Sequence, residues 1–256
     1  MRDKTNPHIV RKPSISWVVI LGAGLATVSA FVLTAAPMGY RLGILPLRTA
    51  LLTVFVWGAY VGCAAAGVSL IGLVMTLLRP RDARRGISLA VISLLAGLVF
   101  IGMAGRFRLG PPKPPIHDIT TDTQDPPQYV AVLPLRANAP NKTVYGGEKV
   151  AALQRKAYPD LQPVILSVPP REAFDRALAT VREMGWDLVA GDAAAGRIEA
   201  TDTTFWMGFK DDVVIRVKAT DGGSHVDVRS LSRVGGGDVG TNAMRIRAYL
   251  NALKTR

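Results

Sequence analysis

The stretch DVVIRVKATDGGSHVDVRSLSR, residues 212–233, decides the fold of the C-terminal half. Apolar and polar residues alternate on both sides of Asp221-Gly222-Gly223, the period of strands with one buried face. Asp212–Ala219 and His225–Arg233 read as two strands, and Gly222-Gly223 suits a two-residue hairpin turn. That turn pairs Ala219 with Val226, Val217 with Val228, Ile215 with Ser230 and Val213 with Ser232 on the core face. The opposite face then carries Lys218 against Asp227, Arg216 against Arg229, Val214 against Leu231 and Asp212 against Arg233.

Two consequences concern function. Asp211 and Asp212 are adjacent, so in a strand they point to opposite faces. A carboxylate dyad needs both groups aimed at one substrate atom, which this arrangement denies. Asp212, Lys218 and Asp227 read as a salt ladder, because cross-strand opposite charges attract. Arg216 against Arg229 is the exception, since like charges across a ladder repel. Glu199 on a neighbouring strand fits between them, and so does an external phosphate or carboxylate. Arg216, Arg229, Glu199 and Arg233 are therefore the candidate anion- or partner-binding residues.

Around the hairpin, Val164–Val168, Trp186–Gly191 and Arg197–Thr204 read as further strands, and Tyr129–Leu135 as another. Ile198 and Ala200 alternate with Arg197, Glu199 and Thr201, which predicts one wet face. Glu148–Ala157, Arg171–Met184 and Val239–Leu253 read as helices, the last capped by Asp238. The expected fold is α+β, with helices on one face of a mainly antiparallel sheet.

Residues 106–128 hold six prolines and predict a stiff spacer before a domain at 129–256. His117, Asp118, Asp122 and Asp125 match no calcium loop and read as turn chemistry. The expectation is no metal and no cofactor. GGGDVG at 235–240 has glycine-fingerprint spacing but lacks the following βαβ unit, so it reads as a turn and helix cap.

The front half is different material. Residues 1–106 carry 11 Lys+Arg against 2 Asp+Glu, whereas residues 107–256 carry 20 against 17. Residues 15–105 contain three uncharged runs, Ile15–Ala36, Thr49–Leu78 and Gly86–Gly105, each near the ~20 residues of a membrane span. Arg2, Lys4, Arg11 and Lys12 precede the first, and Arg79, Arg81, Arg84 and Arg85 lie between the second and third. Positive loops stay inside. Residues 1–14 are thus expected in the cytoplasm, and the C-terminal domain outside the inner membrane. Gly58 and Gly62 form a small-xxx-small pair that suits close helix packing. Basic charge flanking apolar runs implies a lipid bilayer rather than nucleic acid as partner. The single Cys63 excludes an intrachain disulfide.

The combination of PPIHDITTDTQDPP (114–127), AYPDLQPVIL (157–166), GRIEATDTT (196–204), GFKDDVVIRV (208–217) and VDVRSLSRVGGGDVGTNAMRIRAYL (226–250) resembles the family known as domain of unknown function 1499. The resemblance covers most of 111–253 and implies no catalytic residue. The expected function is a membrane-anchored envelope protein whose outer domain binds a protein or an anionic envelope component without catalysis. The alternatives are a hydrolase using Asp211 or Asp212 with His225 or His117, and an accessory subunit of a larger membrane complex.

Overall fold

The computed structural model describes residues 14–80, 84–108 and 113–256. The basic N-terminal residues Arg2, Lys4, Arg11 and Lys12, and Arg81 of the second basic loop, lie outside the described residues. The chain divides into two compact units, Met1–Gly110 and Pro111–Arg256.

The first unit is helical. Helix α1 spans Trp17–Arg41, a π-helical turn Thr49–Val54 runs into α2 at Phe55–Leu77, and α3 spans Ile87–Arg108. Trp17–Arg41 and Thr49–Leu77 are long and apolar enough to cross a membrane, with mean hydropathies of 2.2 and 1.9. The third apolar helical stretch, Ile87–Gly102, is shorter than the ~20 residues that a bilayer core requires. Among the described residues, two helices rather than the expected three meet the length and hydropathy of a span. Gly58 and Gly62 sit at helix crossings inside the unit: Ser29 Oγ donates to the Gly58 carbonyl at 2.8 Å. A side chain at Gly62 would meet Ser29 Oγ at 2.9 Å and Phe100 at 3.2 Å.

The second unit is α+β. Its strands are β1 (Asp118–Thr120), β2 (Val164–Leu166), β3 (Asp187–Asp192), β4 (Arg197–Thr203), β5 (Lys210–Thr220) and β6 (Gly223–Ser232). They form an antiparallel sheet in the order β1-β6-β5-β4-β3, with β2 also paired to β6 beyond β1. Helices α4 (Gly147–Ala157), α5 (Pro170–Glu183) and α6 (Thr241–Lys254) complete it. Phe174, Ala177 and Val181 of α5 and Ile246, Leu250 and Leu253 of α6 share a core with Ile198, Val213, Ile215, Val217, Val226 and Val228. The short edge strand β1 is completed by a side chain of α4. Gln154 accepts from the Thr120 N–H at 3.0 Å and donates back to the Thr120 carbonyl.

Three expectations fail here. The hairpin turns on Asp221-Gly222, not Gly222-Gly223, so Thr220 pairs with Gly223 and Val217 with Val226. A two-residue slip leaves every side chain on its expected face and changes every cross-strand partner. Gly222 supplies the left-handed turn at φ +82°. Gly223 is needed in the strand instead, since a Cβ there would lie 2.1 Å from the Leu166 carbonyl oxygen. Secondly, the supposed spacer is folded from Lys113 onward, with β1 inside it and Thr120 and Thr121 buried. Thirdly, Tyr129–Leu135 forms no strand. It is an irregular segment ending in a 3-10 turn, Pro134–Arg136.

Candidate functional site

The irregular segment, residues 121–145, roofs the sheet face that was expected to be wet. Glu199 and Thr201 are buried, not solvated. Tyr129 and Val132 from the roof pack against Val214 and Leu231, a small second core. Around it the charged side chains pair inward in three groups.

At the end of the sheet formed by the start of β5, Asp212 is fully buried. Its carboxylate accepts from Thr201 Oγ1 at 2.6 Å, from Arg233 at 2.8 and 2.9 Å, and from Arg136 of the roof. Burial alone would raise the Asp212 carboxyl, but hydrogen bonds from Arg233, Thr201 and Arg136 outweigh it and hold its pKa below the ordinary value.

In the middle, Arg229 is fully buried. It grips Asp118 of β1 in two bonds of 2.9 and 2.7 Å and donates to the carbonyls of Pro127 and Thr143. The rings of Tyr129 and Tyr145 lie 5.0 and 5.5 Å from its guanidinium carbon. Burial pushes the Tyr145 hydroxyl up to about 12. Beside this group, Glu199 accepts three consecutive backbone N–H bonds, from Val130, Ala131 and Val132, at 2.9–3.0 Å. That carboxylate is the staple that fixes the roof where it crosses β4.

At the far end, Arg216 pairs directly with Asp227 in the ladder and binds it at 3.0 and 2.7 Å. It also reaches Asp122 at 3.1 Å and Asp125 at 2.8 Å. Lys218 binds Asp125 at 3.2 Å, not Asp227. Arg216 does have an arginine directly across the ladder, but it is Arg197 of β4, which Glu199 accompanies at 3.2 Å. The clash of Arg216 with Arg229, the premise for an anion between them, is therefore absent. The slip in register put Asp227 where Arg229 was expected.

The carboxylates considered for catalysis are separated. Asp211 lies on the α6 side and binds Arg245 at 2.6 Å, in a buried polar cluster with Ser230 and Asn242. Asp212 lies under the roof. Leu231, the partner of Asp212, is six residue steps along β6 from His225, so the two lie about 20 Å apart at the strand rise. Asp238 caps α6 from outside the helix, accepting from Gly240 and Asn242 N–H at 2.9 and 2.7 Å. Burial raises its pKa, and the two N–H bonds only partly oppose this.

A solvent-facing concavity with a largely polar lining lies beside α4. A cleft of about 530 Å³ is lined by Thr121–Gln124, by Glu148, Gln154 and Arg155 of α4, by Tyr158, Pro159 and Leu161–Pro163, and by His225. Arg155 is half-exposed there, paired with Glu148 and donating to Thr123 Oγ1 at 3.2 Å. Tyr158 lines the same cleft, but its buried hydroxyl lies against Gly240 and has no hydrogen-bond partner among the described residues. Arg136, Asp118 and Arg155 were not singled out as site residues from the sequence. Arg136 and Asp118 lie in stretches without periodicity, and only the fold brings them to Asp212 and Arg229, whereas Arg155 meets Glu148 two turns away on the expected helix.

Residues 118–253 match the family model described as "Protein of unknown function (DUF1499)". No curated protein matches the chain.

Proposed function

The chain belongs to the DUF1499 family, and from that premise we propose that it is a membrane-attached binding module without catalytic activity. The supporting observation is the closed charge network. Asp211, Asp212, Asp118, Asp227 and Glu199 all accept from fixed cations or backbone donors inside the domain. Carboxylates held this way serve as acceptors and are unsuited to shuttling protons. The domain also carries an open polar cleft at His225 and Arg155, which is suited to a ligand or protein segment bearing an anionic group. The two apolar helices attach the module to a bilayer.

Full-length protein in lipid nanodiscs tests this reading. Tripolyphosphate and citrate titrations, read by thermal shift, are expected to stabilise the wild type and to lose most of that effect in Arg155→Glu. A photo-crosslinker at Gln162 in the native membrane should give a discrete adduct that Arg155→Glu abolishes. Robust turnover of an ester, phosphate or glycoside panel, lost in His225→Ala, would refute the non-catalytic reading.

A further inference from the structure

The helical unit carries its own depth markers. Trp57 and Tyr60 lie about one turn apart on α2, and both are exposed, at 64% and 57%. Their rings meet edge to face, 6.0 Å apart at 71°. Trp17 opens α1 and is also exposed. The two helices run antiparallel. Arg79 donates to the Ser14 carbonyl at 3.4 Å, a side chain at Gly72 would meet Val19, and Ser29 bonds Gly58, which also faces Leu33. Trp17 and Trp57 therefore sit towards opposite ends of one packed pair.

The spacing between these aromatics is that of a bilayer core. Trp17 to Leu33, the residue beside Gly58, is about 24 Å at the helical rise, and Leu77 to Trp57 is about 30 Å. A hydrocarbon core is ~30 Å thick, and Trp and Tyr favour its two boundaries. The pair continues past this band. Leu33 to Arg41 and Trp57 back to Thr49 each add about 12 Å. Between residues 34 and 56 the charged residues are Arg41 and Arg48 alone, and Met38, Leu42, Ile44 and Leu52 are all more than half exposed. Fitting the whole of Thr49–Leu77, about 42 Å, inside a ~30 Å core would need about 45° of tilt, beyond the ~0–40° of known spans. It would also sink the Tyr60 hydroxyl into hydrocarbon, which offers it no hydrogen bond.

We propose that Trp57 and Tyr60 mark one boundary of the hydrocarbon core, and that the hairpin tip from Met38 to Leu52 lies in the headgroup layer with the exposed Arg48 against the phosphates of anionic lipid. An arginine fork takes a phosphate in two parallel bonds. The apolar side chains beside it suit the boundary between headgroups and acyl chains, the depth at which interfacial segments bury their apolar faces. The proposal rests on the membrane attachment proposed above, and adds to it a depth and a lipid class.

The test uses full-length protein in nanodiscs, in a Cys63→Ser background, with a fluorophore on a single introduced cysteine. Leu70→Cys places the label within the band, and Leu52→Cys places it about 7 Å beyond Trp57 at the helical rise. Lipids carrying a nitroxide deep in the acyl chain are expected to quench the label at 70, and lipids carrying it on the headgroup the label at 52. Acyl-chain quenching at 52 as strong as at 70 overturns the depth alone. Absence of quenching at 70 by either lipid overturns the membrane attachment and the depth with it. Phosphatidylglycerol binding to the full-length protein in detergent, read by native mass spectrometry, should weaken about fivefold in Arg48→Gln, the equivalent of ~1 kcal/mol for one basic residue at an anionic surface. Arg48→Lys should keep most of that binding, and phosphatidylcholine binding should not change in either variant. Undiminished phosphatidylglycerol binding in Arg48→Gln, or an equal loss for both lipids, overturns the headgroup contact.

Discussion

Replacing Asp212 with alanine removes one carboxylate and strands Arg136. Arg136 is almost fully buried, and its Nε already lacks a partner among the described residues. After the substitution its remaining contacts are neutral carbonyls, those of Asn141 at 2.9 Å, Leu231 at 3.3 Å and Ser232 at 3.4 Å. Arg233 keeps some access to solvent, so the uncompensated charge is mainly that of Arg136. Breaking a buried pair from one side costs about 3–5 kcal/mol. For a domain of this size ~1 kcal/mol moves the melting temperature by about 2–4 °C, so a fall of roughly 6–20 °C is expected. Asp160→Ala is the matched control. It removes an exposed two-bond partner of Arg247, a kind of pair that contributes ~0–1 kcal/mol. Both variants are compared as full-length protein by thermal unfolding in detergent. Adding Arg136→Met to Asp212→Ala removes the stranded cation and should recover part of the loss. A melting temperature for Asp212→Ala no lower than that of Asp160→Ala, or no recovery in the double variant, refutes the argument that this pair anchors the roof.

The pH dependence has a definite sign. The folded pKa of Asp212 lies below the ordinary value of 3.8, so its stabilisation is complete above 3.8 and disappears as pH falls through the folded value. The stability gap between wild type and Asp212→Ala, measured by denaturant titration, should therefore narrow below pH 3.8. Asp238 behaves oppositely: its folded pKa is raised, so its contribution is full below 3.8 and is lost as pH rises through the folded value, and Asp238→Asn should flatten that segment of the profile. Arg229→Ala strands Asp118 and is expected to cost about 3–5 kcal/mol, with tripolyphosphate binding of the folded fraction unchanged in calorimetry. Loss of binding by that folded fraction would instead make Arg229 part of an anion site. Gly196→Ala forces a Cβ to within 2.2 Å of the Val217 carbonyl oxygen at φ +60°, whereas Gly222→Ala at φ +82° meets open space. The first should destabilise by well over the ~1–2 kcal/mol of a left-handed alanine and the second by about that amount, read by denaturant midpoint.

The alternation in 212–233 identified both strands and both faces, because side-chain direction depends only on parity. It did not identify the partners. Asp221-Gly222 and Gly222-Gly223 both suit a tight turn, and what selects the first is the approach of β2 to Gly223, an interaction from some 57 residues earlier in the chain. Alternation also cannot distinguish a wet face from one covered by another part of the chain. Arg197, Glu199 and Thr201 show the same pattern under either condition, and the covering segment 121–145 has no period that would announce it. The site was partly legible for the same reason. Asp212 and Arg233 do bind, but diagonally, while Arg216 found Asp227, which the expected register placed against Lys218, and Arg229 found Asp118, which had read as turn chemistry in the spacer.

The charge network and the irregular roof explain one another. A segment without helix or strand must satisfy its own backbone donors and acceptors, and under a roof water does so poorly. Glu199 takes the N–H groups of three successive residues, while Arg229 takes the carbonyls of Pro127 and Thr143, and Arg136 that of Asn141. The buried charges thus substitute for the ladder that residues 121–145 never form. An apolar replacement of the Asp212 group would fill its space, since neighbouring Val214 and Leu231 already pack against Tyr129. An apolar replacement of Glu199 would leave three N–H groups without acceptors, each unmet bond costing ~1–3 kcal/mol. Glu199→Gln should be milder than Glu199→Leu, because the amide oxygen keeps part of the acceptor capacity. The roof should therefore detach, seen as amide exchange at 130–132, at far lower free energy in Glu199→Leu than in the wild type, while β5 and β6 remain protected. Simultaneous loss of protection in the roof and in β5–β6 would show that the roof is part of the sheet's cooperative unit and that Glu199 holds the whole domain.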